Sequence, residues 1–357
     1  MSTDPVTVSP SPTGASAPSG DERVGRTTPF ALILRRPEVG ALVASLVVGI
    51  FFALYARGFG ELSGIANWTG VAATLGIPAV AVALLMIGGE FDLSAGVMVG
   101  TSGLVMSLLA TEAGLNIWLA IVLTLLFAAC VGAINGYLVM RTKLPSFIVT
   151  LATFFILQGA NLGVTKAITG AVAVSGLDQA SGFDAARGVF GGTFWAPYNF
   201  QISVLWWIAV TLLATWALTR TRFGNWVYGV GGDLEAARNV GVPVVRVKIT
   251  LFMGTALASG LTGIIVALQI SSAQASQGVG QELQFIVAAV VGGCLLTGGF
   301  GSAIGAALGA LITGMAFIGI QFSGWNTDWR FLFLGVVLLL AVMLNTWIRK
   351  RASEARR

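Results

Sequence analysis

The chain has 357 residues, 56% hydrophobic and only 10% charged, where a soluble globular domain carries roughly 25% charged residues. That excludes an ordinary soluble domain and describes an integral membrane protein with many spans. The net charge of +5 does not indicate nucleic-acid binding, because the basic residues cluster at the ends of apolar stretches, and the absence of histidine removes histidine metal ligands, Ser-His catalysis and histidine proton relays.

Residues 1–36 read as a disordered cytoplasmic N-terminal tail. Up to residue 28 they are rich in Ser, Thr, Pro and Gly, carry Asp4, Asp21 and Glu22, and have no apolar h-region of a signal peptide. Residues 37–348 form the membrane domain. At ~20 apolar residues per helical crossing, the apolar stretches accommodate about ten helices, drawn roughly at 39–56, 70–88, 95–111, 117–140, 145–164, 200–219, 249–270, 284–298, 303–322 and 330–347. The expected fold is all-α and polytopic, closed by a basic cytoplasmic C-terminal tail at 349–357. Cys130 and Cys294 both fall inside apolar stretches, where cysteine behaves as a small hydrophobe.

The first marked motif is Gly88-Gly89-Glu90-Phe91-Asp92-Leu93-Ser94-Ala95-Gly96, which puts two carboxylates between apolar helices. A carboxylate at membrane depth costs ~2.5–3.5 kcal/mol or more unless compensated. Asp92 with Ser94 reads as a cap for the following helix or as part of a pathway or gate, and the two are compatible. Gly96/Gly100 and Gly301/Gly305/Gly309 are small-xxx-small patterns for close helix packing. Each set follows a glycine pair, Gly88-Gly89 and Gly292-Gly293, a faint trace of duplication.

Arg141 to Leu151 turns the chain back into the membrane, with Pro145 suited to the start of a helix. Thr150, Thr153, Gln158 and Asn161 recur along that helix, either bonding neighbouring helices or lining an aqueous path. The longest loop, about 165–199, is either a small folded cap or a set of interfacial anchors such as Trp195 and Tyr198.

A polar island then interrupts the apolar pattern at 220–248, with Arg220, Arg222, Arg238, Arg246 and Lys248. Inside it, Gly232 to Pro243 reads as a short helix marked at both ends. Asp233 is placed to cap the start, and Glu235 sits in the first turn, where the helix dipole favours an anion. Gly241 suits the left-handed C′ position, and Pro243 prevents continuation. Leu234, Ala237 and Val240 or Gly241 share one face; Glu235, Arg238 and Asn239 point elsewhere. Such a helix is too short to span a bilayer and lies beside it, placed to touch a partner. Further on, Glu282 in Gly278-Val279-Gly280-Gln281-Glu282-Leu283 precedes a span and is either an ordinary loop residue or a receiver for an external partner.

With ten crossings and an inside N-terminus, 16 basic residues fall on inner segments and four, Arg57, Lys166, Arg187 and Arg330, on outer ones. The bias supports cytoplasmic termini by the positive-inside rule. No G-x-x-x-x-G-K-[ST] phosphate loop is present, and no nucleophile–base pair or metal cluster stands out. Neither an ATPase nor a membrane enzyme is expected, and the few charges within the spans give little support for an ion-coupled secondary transporter.

These pieces, taken in order, resemble the ribose/xylose-type permeases, the membrane subunits of bacterial ABC sugar importers. The resemblance covers roughly 39–347 and rests on five landmarks: Gly88–Gly96; Asn135-Gly136 followed by Leu144–Leu151; the Gly-Gly-Asp-x-Glu-Ala-Ala-Arg-x-x-Gly-Val run at 231–242; Gly280-x-Glu282-Leu283; and Gly292-Gly293-x-x-Leu296-x-Gly298-Gly299-x-Gly301. Two departures are Glu90-Phe91 before Asp92, where the family usually has one apolar residue, and Asp233, where Asn is usual.

The resemblance implies a plasma-membrane permease that forms a path for a monosaccharide or related small polar solute. A separate ABC ATPase subunit would bind the ATP, a second permease subunit would complete the path, and an extracytoplasmic binding protein would deliver the solute; membrane lipid is the surroundings, and no cofactor is expected. It also implies that Asp233, Glu235, Ala236, Ala237, Arg238 and Gly241 form the ATPase-coupling element. Pentose, hexose, inositol and a furanosyl signalling molecule all stay open as substrates, as does a branched-chain amino acid or nucleoside permease within the same class.

Overall fold

A computed structural model describes residues 37–354, with side chains for 38–343. The expected tail at 1–36 and residues 355–357 of the basic C-terminus lie outside the described residues. Among those described, eight helices are long and apolar enough to cross a membrane. They are α1 (Pro37–Tyr55), α2 (Leu62–Ile87), α3 (Ser94–Thr111), α4 (Ile117–Thr142), α5 (Ser146–Thr169), α7 (Ser203–Arg220), α10 (Val244–Ile270) and α12 (Ala303–Phe322). Two further apolar helices complete the expected set, the short α11 (Gln281–Val291) and α13 (Trp329–Glu354), whose described apolar stretch is Trp329–Met343.

Three buried helices form the centre. In α2, α3 and α10, 78%, 78% and 72% of the apolar stretch is buried, against 17% in α1 and 22% in α5 and α7. Small residues decide which faces pack. Gly132 and Gly136 of α4 let the α10 backbone approach at Phe252 and Ile249, and Gly305 and Gly309 do the same for α12 against Gly292 and Ala288. These are the backbone approaches that small residues permit between membrane helices.

α11 differs from the span drawn at 284–298. Its 11 residues give about 16 Å at 1.5 Å per residue, half of a ~30 Å hydrocarbon core. The rest of the depth is covered by residues 271–280, which run as non-helical chain along α3. The contacts descend in register: Gly103 meets Ala273, Gly100 meets the Gln277 carbonyl, and Gly96 meets Gly278 and Glu282. The unit therefore crosses as a broken span, a non-helical arm followed by a half-helix. Non-helical backbone survives at such depth only where protein buries it, and the α3 glycine face supplies that cover.

The faint duplication has a structural counterpart. At the end of α2, Gly89 N–H donates to Met86 O (2.9 Å) and Glu90 N–H to Leu85 O (3.1 Å); at the end of α11, Gly293 N–H donates to Val290 O (2.9 Å) and Cys294 N–H to Ala289 O (3.0 Å). Gly89 and Gly293 both take positive φ, 81° and 94°, so both helices end in the same left-handed cap.

The 165–199 loop is a folded cap. Strand β1 (Ala173–Val174) pairs with β4 (Ala273–Gln274), and β2 (Thr193–Phe194) with β3 (Phe200–Gln201). Between them, α6 (Phe183–Phe190) buries Phe183, Ala186 and Phe190, with Phe190 stacked on Trp206 at 5.1 Å. Trp195 is exposed on the β2–β3 hairpin, against Tyr198 and Phe200.

Candidate functional site

The polar island folds as two helices, α8 (Arg222–Gly232) and α9 (Leu234–Asn239), which connect α7 to α10. α8 was not legible in the sequence, because its Gly224, Gly229, Gly231 and Gly232 argue against a helix. α9 follows its sequence markers. Asp233 Oδ1 accepts the Ala236 N–H at 2.9 Å, and Gly241 takes φ +84°. Val242 N–H donates to Ala237 O and Gly241 N–H to Arg238 O, both at 3.0 Å. Ala237 is buried and Leu234 half-buried, whereas Asp233, Glu235, Ala236, Arg238 and Gly241 are exposed. Val240 departs from the expected face. It is 80% exposed, an apolar knob held out beyond the end of α9.

The base of this hairpin is locked by backbone contact between three glycine turns. A methyl carbon on Gly231 would sit 1.7 Å from the Ile87 carbonyl oxygen and 2.7 Å from Gly299 N. Gly298 lies against Gly231 and Gly89, and Gly299 against Gly232. Gly299 N–H donates to Ile87 O at 2.8 Å, and the Tyr228 hydroxyl donates to Gly301 O at 2.9 Å. Burial first, then Cys294 and Glu38 nearby, hold the Tyr228 pKa above the usual phenol value, so the hydroxyl stays a donor. The α2–α3 turn, the α8–α9 hairpin and the α11–α12 turn thus meet as one body.

Glu90, a departure from the family pattern, has its reason here. It forms a buried ion pair with Lys248, in the first turns of α10. The sequence treats Lys248 as one more basic residue of an exposed island; the structure buries it. The separation along the chain hides the pairing, and only the approach of α10 to the α2–α3 turn reveals it.

The polar residues expected to line a path or gate divide into two groups. Asp92 is buried, and its Oδ1 accepts both the backbone N–H of Ser94 (2.8 Å) and its hydroxyl (2.6 Å). Ser94 Oγ accepts from Asn135 Nδ2 at 3.0 Å, and Asn135 Oδ1 accepts from Thr153 at 2.6 Å. Thr150 Oγ1 accepts the Leu93 N–H at 3.1 Å, and Ser146 Oγ the Phe91 N–H at 3.1 Å. Asp92, Ser94 and Thr150 therefore belong to a closed network that staples the α2–α3 turn to α4 and α5. Gln158 and Asn161 lie further along α5; Gln158 is half-buried, and Asn161 is buried with its side-chain nitrogen unpartnered. Neither borders the polar cavity of the bundle.

That cavity, of about 340 Å³, lies between α2, α3, α10, α12, the broken span 271–291 and β3. Its polar lining is Thr74, Thr262, Gln201, Gln269, Gln277, Gln281 and Gln284. Sequence reasoning missed it. Five of the nine glutamines in the chain converge there, and the available signal was the crowding of four of them into residues 269–284. Glu282, beside them, points away: it is buried, and its Oε2 accepts the Gly280 N–H at 3.0 Å. Packed against Gly96, it is not displayed as a surface receiver.

The cavity lies away from the α9 hairpin. α8 and α9 follow the C-terminus of α7 and precede the N-terminus of α10; the cavity lies at the middle of α2, before α7 and along the C-terminal third of α10. The architecture is thus a polytopic, almost wholly helical bundle with one broken span, a polar cavity among its helices and an exposed capped hairpin, an arrangement a membrane permease can use.

The comparisons place it further. The chain belongs to the family described as the permease component of the branched-chain amino acid transport system, matched over residues 64–342. It is 34% identical to the probable ABC transporter permease protein YphD of Escherichia coli, over 90% of this chain and 92% of that one. It is 30% identical to the ribose import permease protein RbsC of Escherichia coli (86% and 93%) and 32% identical to the fructose import permease protein FrcC of Rhizobium meliloti (79% and 77%). The resemblance to ribose-type permeases drawn from the five landmarks is thereby borne out. No solved structure matches the chain.

Proposed function

We propose that the protein is the permease subunit of a plasma-membrane ABC importer, and that its cargo is a monosaccharide or a related small polar solute. Sugar-importing relatives aligned over most of the chain support the cargo class. The termini and the α9 hairpin face the cytoplasm, as the 16-to-4 distribution of basic residues favours. A separate ATPase subunit, which binds the ATP, docks on the hairpin. A second permease subunit completes the path, and an external binding protein delivers the solute onto the 173–201 cap.

The observation that carries this reading is the α9 hairpin. Its outer surface presents Glu235, Arg238 and Val240 to solvent, while its base is welded by glycine contacts to the α2–α3 and α11–α12 turns. A push on α9 moves both turns together. ATP-driven closure of the docked subunits would transmit through this base and rock the spans between two accesses. Asp233 and Gly241 hold the helix ends, Ala237 seats it, and Glu235, Ala236 and Arg238 form the contact.

The test is co-purification of the tagged permease with its ATPase subunit, before and after Glu235→Arg. The charge reversal is expected to abolish both ATPase retention and uptake while the permease stays inserted and monodisperse. Wild-type uptake by a well-expressed variant would refute the coupling assignment.

A further inference from the structure

We infer that the glutamine cavity is the station at which the solute pauses inside the permease, and that it selects a neutral, polyhydroxylated molecule. The inference rests on the permease reading above and adds the residues and the chemistry of recognition. Its basis is the state of the side chains. Gln201 is already engaged, accepting from Ser203 Oγ and Gln269 Nε2, both at 3.3 Å. The amides of Gln277, Gln281 and Gln284 have no hydrogen-bond partner among the described residues. All three border the cavity and are half-buried.

An amide offers donors on nitrogen and an acceptor on oxygen. A sugar hydroxyl also donates and accepts, so a ring of amides pairs with a ring of hydroxyls in several orientations. The lining holds no acid or base. An ion or a zwitterionic amino acid would therefore leave its charges unpaired there, which is costly away from water. Leu75, Val99 and Phe317 supply apolar walls, the usual companion of a few polar groups in a ligand site.

The position of the three free amides adds a mechanism. Gln277 is on the non-helical arm, and Gln281 and Gln284 are on the first turns of α11. The far end of α11 continues through Gly292 and Gly293 to the Gly298–Gly299 turn that touches α8. One short helix thus joins the solute station to the coupling base, and a tilt that follows α9 would withdraw Gln281 and Gln284 from the solute and weaken its hold.

The experiment uses the complete importer in proteoliposomes, with radiolabelled D-ribose, D-xylose, D-fructose and L-leucine as probes. Wild-type, Gln281→Leu, Gln284→Leu, Gln284→Asn and Gln158→Leu permeases are compared for uptake, for retention of the ATPase subunit and for basal ATP hydrolysis. The expected result is ATP-dependent uptake of one of the sugars by wild type, with uptake at subsaturating sugar reduced roughly tenfold by each cavity leucine, the scale of one lost hydrogen bond. Gln284→Asn should recover part of it, Gln158→Leu should match wild type, and all should retain the ATPase.

Wild-type sugar uptake with unimpaired cavity leucines overturns the station and leaves the permease reading intact. Uptake of leucine in place of any sugar overturns the selection for neutral polyols. No ATP-dependent uptake of any probe and no retained ATPase overturns the permease reading itself. If the leucine variants fail to assemble, Gln284→Asn decides: an unchanged apparent KM for the sugar overturns the station, and a raised one supports it.

Discussion

The base of the α9 hairpin and the glutamine cavity use glycine differently. At the hairpin base, Gly231, Gly298 and Gly299 bring backbone against backbone, with no space for one methyl carbon. At the cavity, Gly100 still meets the Gln277 carbonyl, but Gly70 meets a side chain: a methyl there would sit 2.8 Å from the Gln201 amide, whose bonds from Ser203 and Gln269 would have to adjust. Backbone contact transmits a displacement because nothing in it can re-rotamerise. Side-chain contact adapts, as a site for small solutes of varied hydroxyl pattern requires. The same difference separates the buried Glu90–Lys248 pair from the unpartnered glutamines. One region spends its polar groups on itself and the other keeps them for a ligand.

The largest effect that would sharpen this contrast is Gly231→Ala. The added methyl is expected to force α8 off the α2–α3 turn and cost about 3 kcal/mol or more, read as loss of a monodisperse permease or a large fall in Tm in detergent. Gly254→Ala is the matched control, because open space surrounds that glycine inside α10; it should be neutral or stabilising by about 0.5–1 kcal/mol. Equal behaviour of the two would break the claim that backbone contact welds the hairpin base.

Next in size is the ion pair. Glu90→Leu strands a buried lysine and should cost about 3–5 kcal/mol, as should Lys248→Met for the carboxylate, whereas the double variant Glu90→Leu with Lys248→Met should recover most of it. A double-mutant cycle on Tm checks this, and additive losses would show that the pair is not coupled. Thr150→Val removes the acceptor for the Leu93 N–H and should cost about 1–3 kcal/mol, measured the same way. The smallest effect belongs to the cavity. Gly70→Ala should shift Tm by less than about 1 kcal/mol equivalent, since only a side-chain tip must move, yet raise the KM for uptake by crowding Gln201. A large stability loss there would erase the distinction between the two regions.

Much of this was legible in the sequence because it is local or periodic. Length and apolarity identify the spans, since a bilayer imposes both. Asp233 and Gly241 mark the ends of α9, because capping depends on neighbours within a turn or two. The five landmarks, spread over the chain, carried the family. Hydropathy, by contrast, did not separate α1 from α2, which are similarly apolar and differ fourfold in burial, because lipid and protein interior are alike to an apolar side chain. Glycines in α8 hid a helix that tertiary contact with Ile87 and Gly299 stabilises. Asp92 with Ser94 read as a cap or a gate, and Thr150 as a helix-to-helix bond or a path lining. The hydrogen bonds to Ser94, Asn135 and Leu93 match the first of each, and the bonds to Asn135 and Leu93 could not be read from sequence because those partners lie far along the chain.

The sequence by itself determined the class, most of the spans and the capped α9 helix, all properties of adjacent residues or of the solvent around them. Only the tertiary structure decided that α11 is the half-helix of a broken span, that Glu90 meets Lys248, and that five glutamines face one cavity. Those depend on which helix faces come together, and here that is set by where glycine lets two backbones touch.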